Sequence, residues 1–187
     1  MSSPTYLNNQ FLIAMPALAD PNFAHTVTLI CEHNDQGALG IVINRPGLMN
    51  LGEIMDQLNI EVSDSRLREQ TVFEGGPVYP DRGFVLHEPS REWESSLPVS
   101  RHLQVTTSRD ILAALARGEG PGSYLLALGY AGWAAGQLEE EIAANAWLSV
   151  EANPDIVFKT SWELRYRAAA ELLGIDLGAL GPGAGHA

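Results

Sequence analysis

Residues 125–148, LLALGYAGWAAGQLEEEIAANAWL, decide how this chain is read. Tyr124 to Leu128 is an apolar run of strand length, and glycines follow at 129, 132 and 136. Beyond them the spacing becomes helical, with Ala135, Leu138 and Ile142 on one face. The pattern predicts a buried strand, a glycine turn, and a helix whose amino end sits beside the carboxyl end of the strand. In sheets covered by helices, ligand crevices tend to form at that place.

Upstream, Gln10–Met15 reads as a first strand stopped by Pro16, and residues 16–25 as an irregular loop. Thr26–His33 alternates, with Val27, Leu29 and Cys31 opposite Thr28, Ile30 and Glu32. Ala38–Asn44 returns from Asn34-Asp35-Gln36-Gly37, a hairpin with a loop longer than the tight two-residue kind. Asn50 and Glu53 have the spacing of a capping box, which starts a helix at Leu51 with the stripe Leu51, Ile54, Met55 and Leu58. Residues 61–70 are charged, with room for a short helix. Thr71–Phe73 and Gly83–His87 read as a strand pair around Glu74-Gly75-Gly76-Pro77, and residues 88–98 as a surface loop.

His102–Thr106 is a further strand, and Thr107 a cap for a helix over Ser108–Arg117 that Gly118 closes. Downstream of the central stretch, Trp147–Glu151 and Asp155–Lys159 read as two extended pieces. Thr160 then caps a last helix with Trp162, Tyr166, Ala169 and Leu173 on one face, ending at Gly174. Residues 175–187 read as a flexible glycine-rich tail. Strands and helices interleave without a strict βαβ period, and a hairpin comes first. The fold class is therefore α+β: a single domain over 1–174, with a mixed, mostly antiparallel β-sheet flanked by helices.

The chain has 187 residues, enough for one full core, and 23 acidic against 11 basic side chains give a net charge of −12. That balance speaks against a partner held through phosphates. Cys31 is the only cysteine, which fits a reducing, cytoplasmic setting. No apolar run approaches the roughly 20 residues that a membrane helix needs.

No motif settles a reaction. Gly129, Gly132 and Gly136 match neither the dinucleotide fingerprint nor a phosphate loop, and Glu139, Glu140 and Glu141 would oppose an anion at that helix end. Tyr130 and Trp133 are placed either to stack on a ligand or to plug the core. Gln137 and Glu141, one helical turn apart, either orient a polar group or form an exposed face. None of the five histidines has metal-ligand spacing, so no metal and no cofactor is expected. His87 ends a strand, as a proton-transfer group or a satisfied structural histidine. Asn44-Arg45-Pro46 offers a planar cation on a rigid turn.

Several blocks together resemble the YqgE/AlgH family of small bacterial proteins. They are Ala14-Met15-Pro16 with Asp20-Pro21-Asn22-Phe23, the run Gly37 to Pro46, Phe73-Glu74-Gly75-Gly76-Pro77-Val78, Gly83-Phe84-Val85-Leu86-His87, and Gly129-Tyr130-Ala131-Gly132-Trp133 with Gly136-Gln137-Leu138-Glu139. The resemblance implies a one-domain α+β fold and a cytosolic protein, with no settled reaction. One branch of the family carries the label of transcriptional regulator of alginate production.

The expectation is thus a regulatory or binding module acting through a protein partner or a small ligand, as monomer or homodimer. The candidate contact residues are Asn44, Arg45, Gly75, Gly76, His87, Tyr130, Gly132, Trp133, Gln137 and Glu139, which all fall at strand ends and glycine turns. The alternatives are a small-molecule enzyme at 129–139, with His87 or Glu139 as acid–base group, and direct DNA binding. The acidic balance and the lack of a helix-turn-helix pattern weigh against the last.

Overall fold

The chain is represented by a computed structural model that describes residues 5–176. β1 (Gln10–Ala14), β2 (Val27–Asn34) and β3 (Gly37–Val42) open it as an antiparallel meander. β4 (Pro46–Asn50), α1 (Leu51–Gln57), a short α2 (Ser65–Arg68) and β5 (Thr71–Glu74) follow. Next come β6 (Val78–His87), β7 (Ser96–Pro98), β8 (Gln104–Thr106) and α3 (Arg109–Ala116). β9 (Tyr124–Ala134), α4 (Gln137–Ala143), β10 (Trp147–Glu151), α5 (Pro154–Phe158) and α6 (Trp162–Glu171) are the last elements among the described residues.

The strands form one sheet in the order β10-β1-β2-β3-β9-β6-β8-β7, with β4 and β5 branching from β9. Among the described strands only β5 against β9 is parallel. The fold is α+β with a mixed, mostly antiparallel sheet, as the sequence predicts. The sheet curls around its largest core, where Phe11, Leu29, Ile41, Phe73, Leu86 and Leu125 meet Val157 of α5 and Ala169 of α6. Its outer face carries two smaller cores. Leu51, Met55, Ile111 and Leu115 of α1 and α3 cover Val72, Val85 and Leu126, while Leu138 of α4 covers Leu12, Ile30 and Trp133. With both faces covered, Phe11 to Ala14 and Val27 to Cys31 are buried without a break.

β9 organises the molecule differently from the sequence reading. The strand does not stop at Leu128 but runs to Ala134, and the turn before α4 is only Ala135-Gly136. Gly129 and Gly132 lie inside the strand. In the first half Ala127 faces Phe73 of β5 on one side and Phe84 of β6 on the other. In the second half β3 replaces β5, with Ala131 opposite Gly40 and Trp133 opposite Ala38.

The exchange happens at Gly129, whose φ is +79°. There β6 leaves the ladder between Val78 and Gly83, and Tyr79 to Arg82 stand exposed. The irregularity shifts the side-chain phase by one residue. Leu125 and Ala127 face the inner core and Leu126 the outer one, yet beyond Gly129 it is Tyr130 that turns inward and Ala131 and Trp133 that turn outward.

Other local readings change for physical reasons. Asn34 and Gly37 are direct cross-strand partners, so the first hairpin has a tight two-residue loop. β5 and β6 do not pair with each other, because each uses β9 as its partner. The extended piece at 155–159 is instead α5: Asn153 accepts the Asp155 N–H, and Pro154 sits at the first helical position. Ser108 and Ser161, not Thr107 and Thr160, are the N-caps of α3 and α6. The Thr107 hydroxyl is taken by Ser95 and that of Thr160 by the Asp155 carbonyl. On α6 the buried residues are Arg165, Ala169 and Ala170, whereas Trp162 and Leu173 are 38% and 37% exposed. Of the tail from 175, only Ile175 and Asp176 fall within the described residues.

Candidate functional site

The departure of β6 from β9 opens a groove on the outer face of the sheet. Two cavities of about 350 and 340 Å³ lie side by side there, and Met49, Asp81 and Leu128 line both. The first also takes in Asn22, Arg45, Leu48, Glu74, Gly76 and Pro80. The second continues over Ile54, Leu58, Val85, Leu112 and Leu126 to Thr107, Ser108 and Arg109. The walls are thus mainly apolar, with a guanidinium in each half. Arg45 donates to the carbonyls of Asn22 at 2.7 Å and Ala24 at 3.3 Å, and Arg109 to that of Leu58 at 2.9 Å. Leu48 is fully exposed beside the first cavity.

Asn44 adjoins the groove as a fastening. Its side chain accepts the Val27 N–H at 2.9 Å and donates to the His25 carbonyl at 3.0 Å, tying the end of β3 to the start of β2. Gly75 bridges the two strands that succeed one another on β9: it donates to the Leu128 carbonyl and accepts from the Val42 N–H. A Cβ at Gly75 would stand 2.4 Å from the Gly129 carbonyl oxygen, and one at Gly76 only 2.1 Å from the Tyr130 carbonyl carbon. Both glycines are there for close backbone approach.

A second group forms where β9 hands over to α4. Glu139 meets Nε2 of the buried His33 at 2.9 Å. His33 Nδ1 accepts the Leu7 N–H, so the ring proton is on Nε2 and points at the carboxylate. That hydrogen bond holds the Glu139 carboxyl below the usual range. One oxygen of Glu141 accepts both the Trp133 and Trp147 indole N–H groups, at 3.0 and 2.9 Å, and the other accepts from Gln137 at 2.8 Å. Gln137 in turn accepts the Ala134 N–H. Of the three consecutive glutamates, two therefore clamp α4 to the sheet. Tyr130, Gly132 and Trp133 line a shallow, open concavity with Asn34, Gln36 and Val78.

His87 lies apart from both groups and is fully buried. Its Nδ1 donates to the Glu88 carbonyl at 2.7 Å, so Nε2 accepts from the Thr106 hydroxyl at 2.7 Å, which accepts from Ser96 at 2.6 Å. Burial lowers its pKa, in keeping with a neutral ring.

The structure thus brings Arg45 and Gly76 to the groove, with Asn44 and Gly75 behind it. It gathers Tyr130, Gly132, Trp133, Gln137 and Glu139 at the far end of β9, and leaves His87 in a third place. The groove residues Met49, Asp81 and Leu128 escaped the sequence reading. Leu48-Met49 beside Gly47 was the one visible signal, an apolar pair outside any helical stripe. Among the described residues no group of three or more His, Cys, Asp or Glu side chains is placed to hold a metal ion, and no helix is long and apolar enough to cross a membrane.

Comparisons with known proteins agree with this architecture. The AlgH-like family model matches residues 11–178. A UPF0301 protein of Thioalkalivibrio sulfidiphilus is 58% identical over 187 residues, 100% of both chains. Another, from Methylococcus capsulatus, is 54% identical over 185 residues, 99% of this chain and 98% of its own. The solution structure of the AlgH protein from Pseudomonas aeruginosa matches with a TM-score of 0.81 and 51% identity, over 100% of this chain and 99% of that one. Protein DIP2367 from Corynebacterium diphtheriae, at a TM-score of 0.69 and 18% identity over 89% and 86% of the two chains, shares the fold.

Proposed function

This chain belongs to the AlgH-like family, and from that premise we propose that it is a cytoplasmic binding module whose ligand occupies the groove between α1, α3 and the β6 excursion. The observation that carries the reading is that the two cavities adjoin, with Met49, Asp81 and Leu128 lining both. Mainly apolar walls with one guanidinium in each half suit a small amphipathic molecule, an apolar body with polar ends. Arg45 and Arg109 are already held by backbone carbonyls, so they meet such a ligand in fixed positions. A chain with a net charge of −12 is a poor match for direct duplex binding.

Native mass spectrometry of the protein purified from its own cells tests this. The wild type is expected to retain a small molecule that Leu128→Trp, which fills the shared wall, no longer carries. Identical spectra from two folded proteins would refute the groove as the site. Leu48, wholly exposed on β4, favours a second reading in which a protein partner seats on the same edge. In that case Leu48→Asp abolishes capture of the partner, and the small-molecule mass is absent from the wild type.

A further inference from the structure

We propose that the protein has a separate site for a small oxyanion, a carboxylate or phosphate group, built around Arg165 where α5 and α6 meet β5 and the start of β9. Arg165 is a buried cation, only 7% exposed. Its Nε donates to the Thr160 carbonyl at 3.0 Å, its Nη1 donates to the Ile43 carbonyl, and the guanidinium lies 4.9 Å from the centre of the Phe73 ring. None of these partners is an anion. Among the described residues no carboxylate pairs with it, although the chain carries 23 of them. The hydrogen bonds that Arg165 makes to described residues run through Nε and Nη1.

Arg165 instead lines a cavity of about 170 Å³ bounded by α5, α6, β5 and the start of β9. The polar groups that share the cavity are Gln70, Thr71 and Tyr124. Tyr124 donates its hydroxyl proton to Gln70 Oε1 at 2.6 Å, which fixes the amide and leaves the Gln70 NH₂ as a donor. Thr71 is exposed, with its hydroxyl in the lining. Asp64 acts on Tyr124 from outside the lining.

The cavity therefore offers a guanidinium edge, an amide and a hydroxyl, and its lining contains no carboxylate. A buried cation without an anionic partner is expensive to maintain, and burial lowers the Arg165 pKa to about 10. An oxyanion resting on Nη2 would supply the missing counter-charge through charge-assisted hydrogen bonds, which are the stronger kind. The cavity touches the groove only through Phe73 and Leu126, and it shares no polar group with it.

Titration of the ¹⁵N-labelled full chain with sodium phosphate and, separately, sodium acetate, each at constant ionic strength with chloride as the balance, tests the proposal. Saturable shifts of the Arg165 side-chain N–H and the Thr71 and Tyr124 amides are expected with at least one anion, and which anion saturates first separates phosphate from carboxylate. Arg165→Met should abolish the saturation. If that variant does not fold, the exposed double change Gln70→Leu with Thr71→Val decides, and it should weaken binding by about tenfold. Shifts that grow linearly with salt and match those from chloride, or an unchanged Kd in the folded variants, would overturn the site.

Discussion

His33 Nε2 donates to Glu139 Oε1 across 2.9 Å, joining β2 to the first turn of α4, while the other nitrogen of the same ring accepts from the Leu7 backbone. One neutral imidazole thus fastens the N-terminal segment and α4 at once. The Glu139 carboxyl titrates below its ordinary 4.5 because of this bond. A depressed carboxyl stabilises the fold above 4.5, and the contribution is lost as pH falls through the lower folded value. Glu139 is 49% exposed, so Glu139→Gln should cost at most about 1 kcal/mol at pH 7. Urea unfolding at pH 7 and pH 3 checks the sign: the gap between wild type and variant narrows at pH 3.

His87 should produce a separate effect nearer neutrality. Its folded pKa lies below the ordinary 6.5 because it is buried. Below pH 6.5 the unfolded chain takes up a proton that the folded chain refuses, so stability decreases from 6.5 down to the folded pKa and then levels. His87→Leu removes that slope and, by stranding the Thr106 hydroxyl and Glu88 carbonyl, costs about 1–3 kcal/mol at pH 8. Unfolding free energies between pH 5 and 8 that keep the wild-type slope would exclude His87 as its source.

The glycines separate into two kinds. Gly76→Ala drives a methyl to 2.1 Å from the Tyr130 carbonyl carbon and should cost more than about 3 kcal/mol or prevent folding. Gly136→Ala has open space and strains only a φ of +76°, so about 1 kcal/mol is expected. Thermal unfolding of both variants compares them, and equal losses would mean that backbone approach is not what Gly76 provides.

Thr28 is fully buried in β2, and among the described residues its hydroxyl has no hydrogen-bond partner. Thr28→Val keeps the branched shape and removes the orphaned oxygen. It should raise stability by about 1 kcal/mol, read as a higher urea midpoint at unchanged m-value. A lower midpoint would show that the hydroxyl is satisfied in solution.

The interactions that local sequence revealed are those closed within a few residues. The capping box of Asn50 and Glu53 forms as read, with both reciprocal bonds present. Gly118 and Gly174 take the left-handed conformation after α3 and α6. Cys31 is buried, its thiol pushed up to about 12. By contrast Gly129 looked like the end of a strand because a glycine after an apolar run usually breaks one. Here two changing neighbours, β5 and then β3, keep β9 in the sheet past it.

By itself, then, the sequence determined an acidic α+β protein, its opening hairpin, its first helix cap and most of its strands, because periodicity and caps depend on neighbours a turn or a residue away. Tertiary structure alone decided that β9 is continuous and phase-shifted, that Glu141 serves two tryptophans, that Arg165 is buried with no carboxylate partner among the described residues, and that Met49, Asp81 and Leu128 share a groove. Each of those depends on segments that meet only when the sheet curls, and no local spacing encodes which strand will stand beside β9.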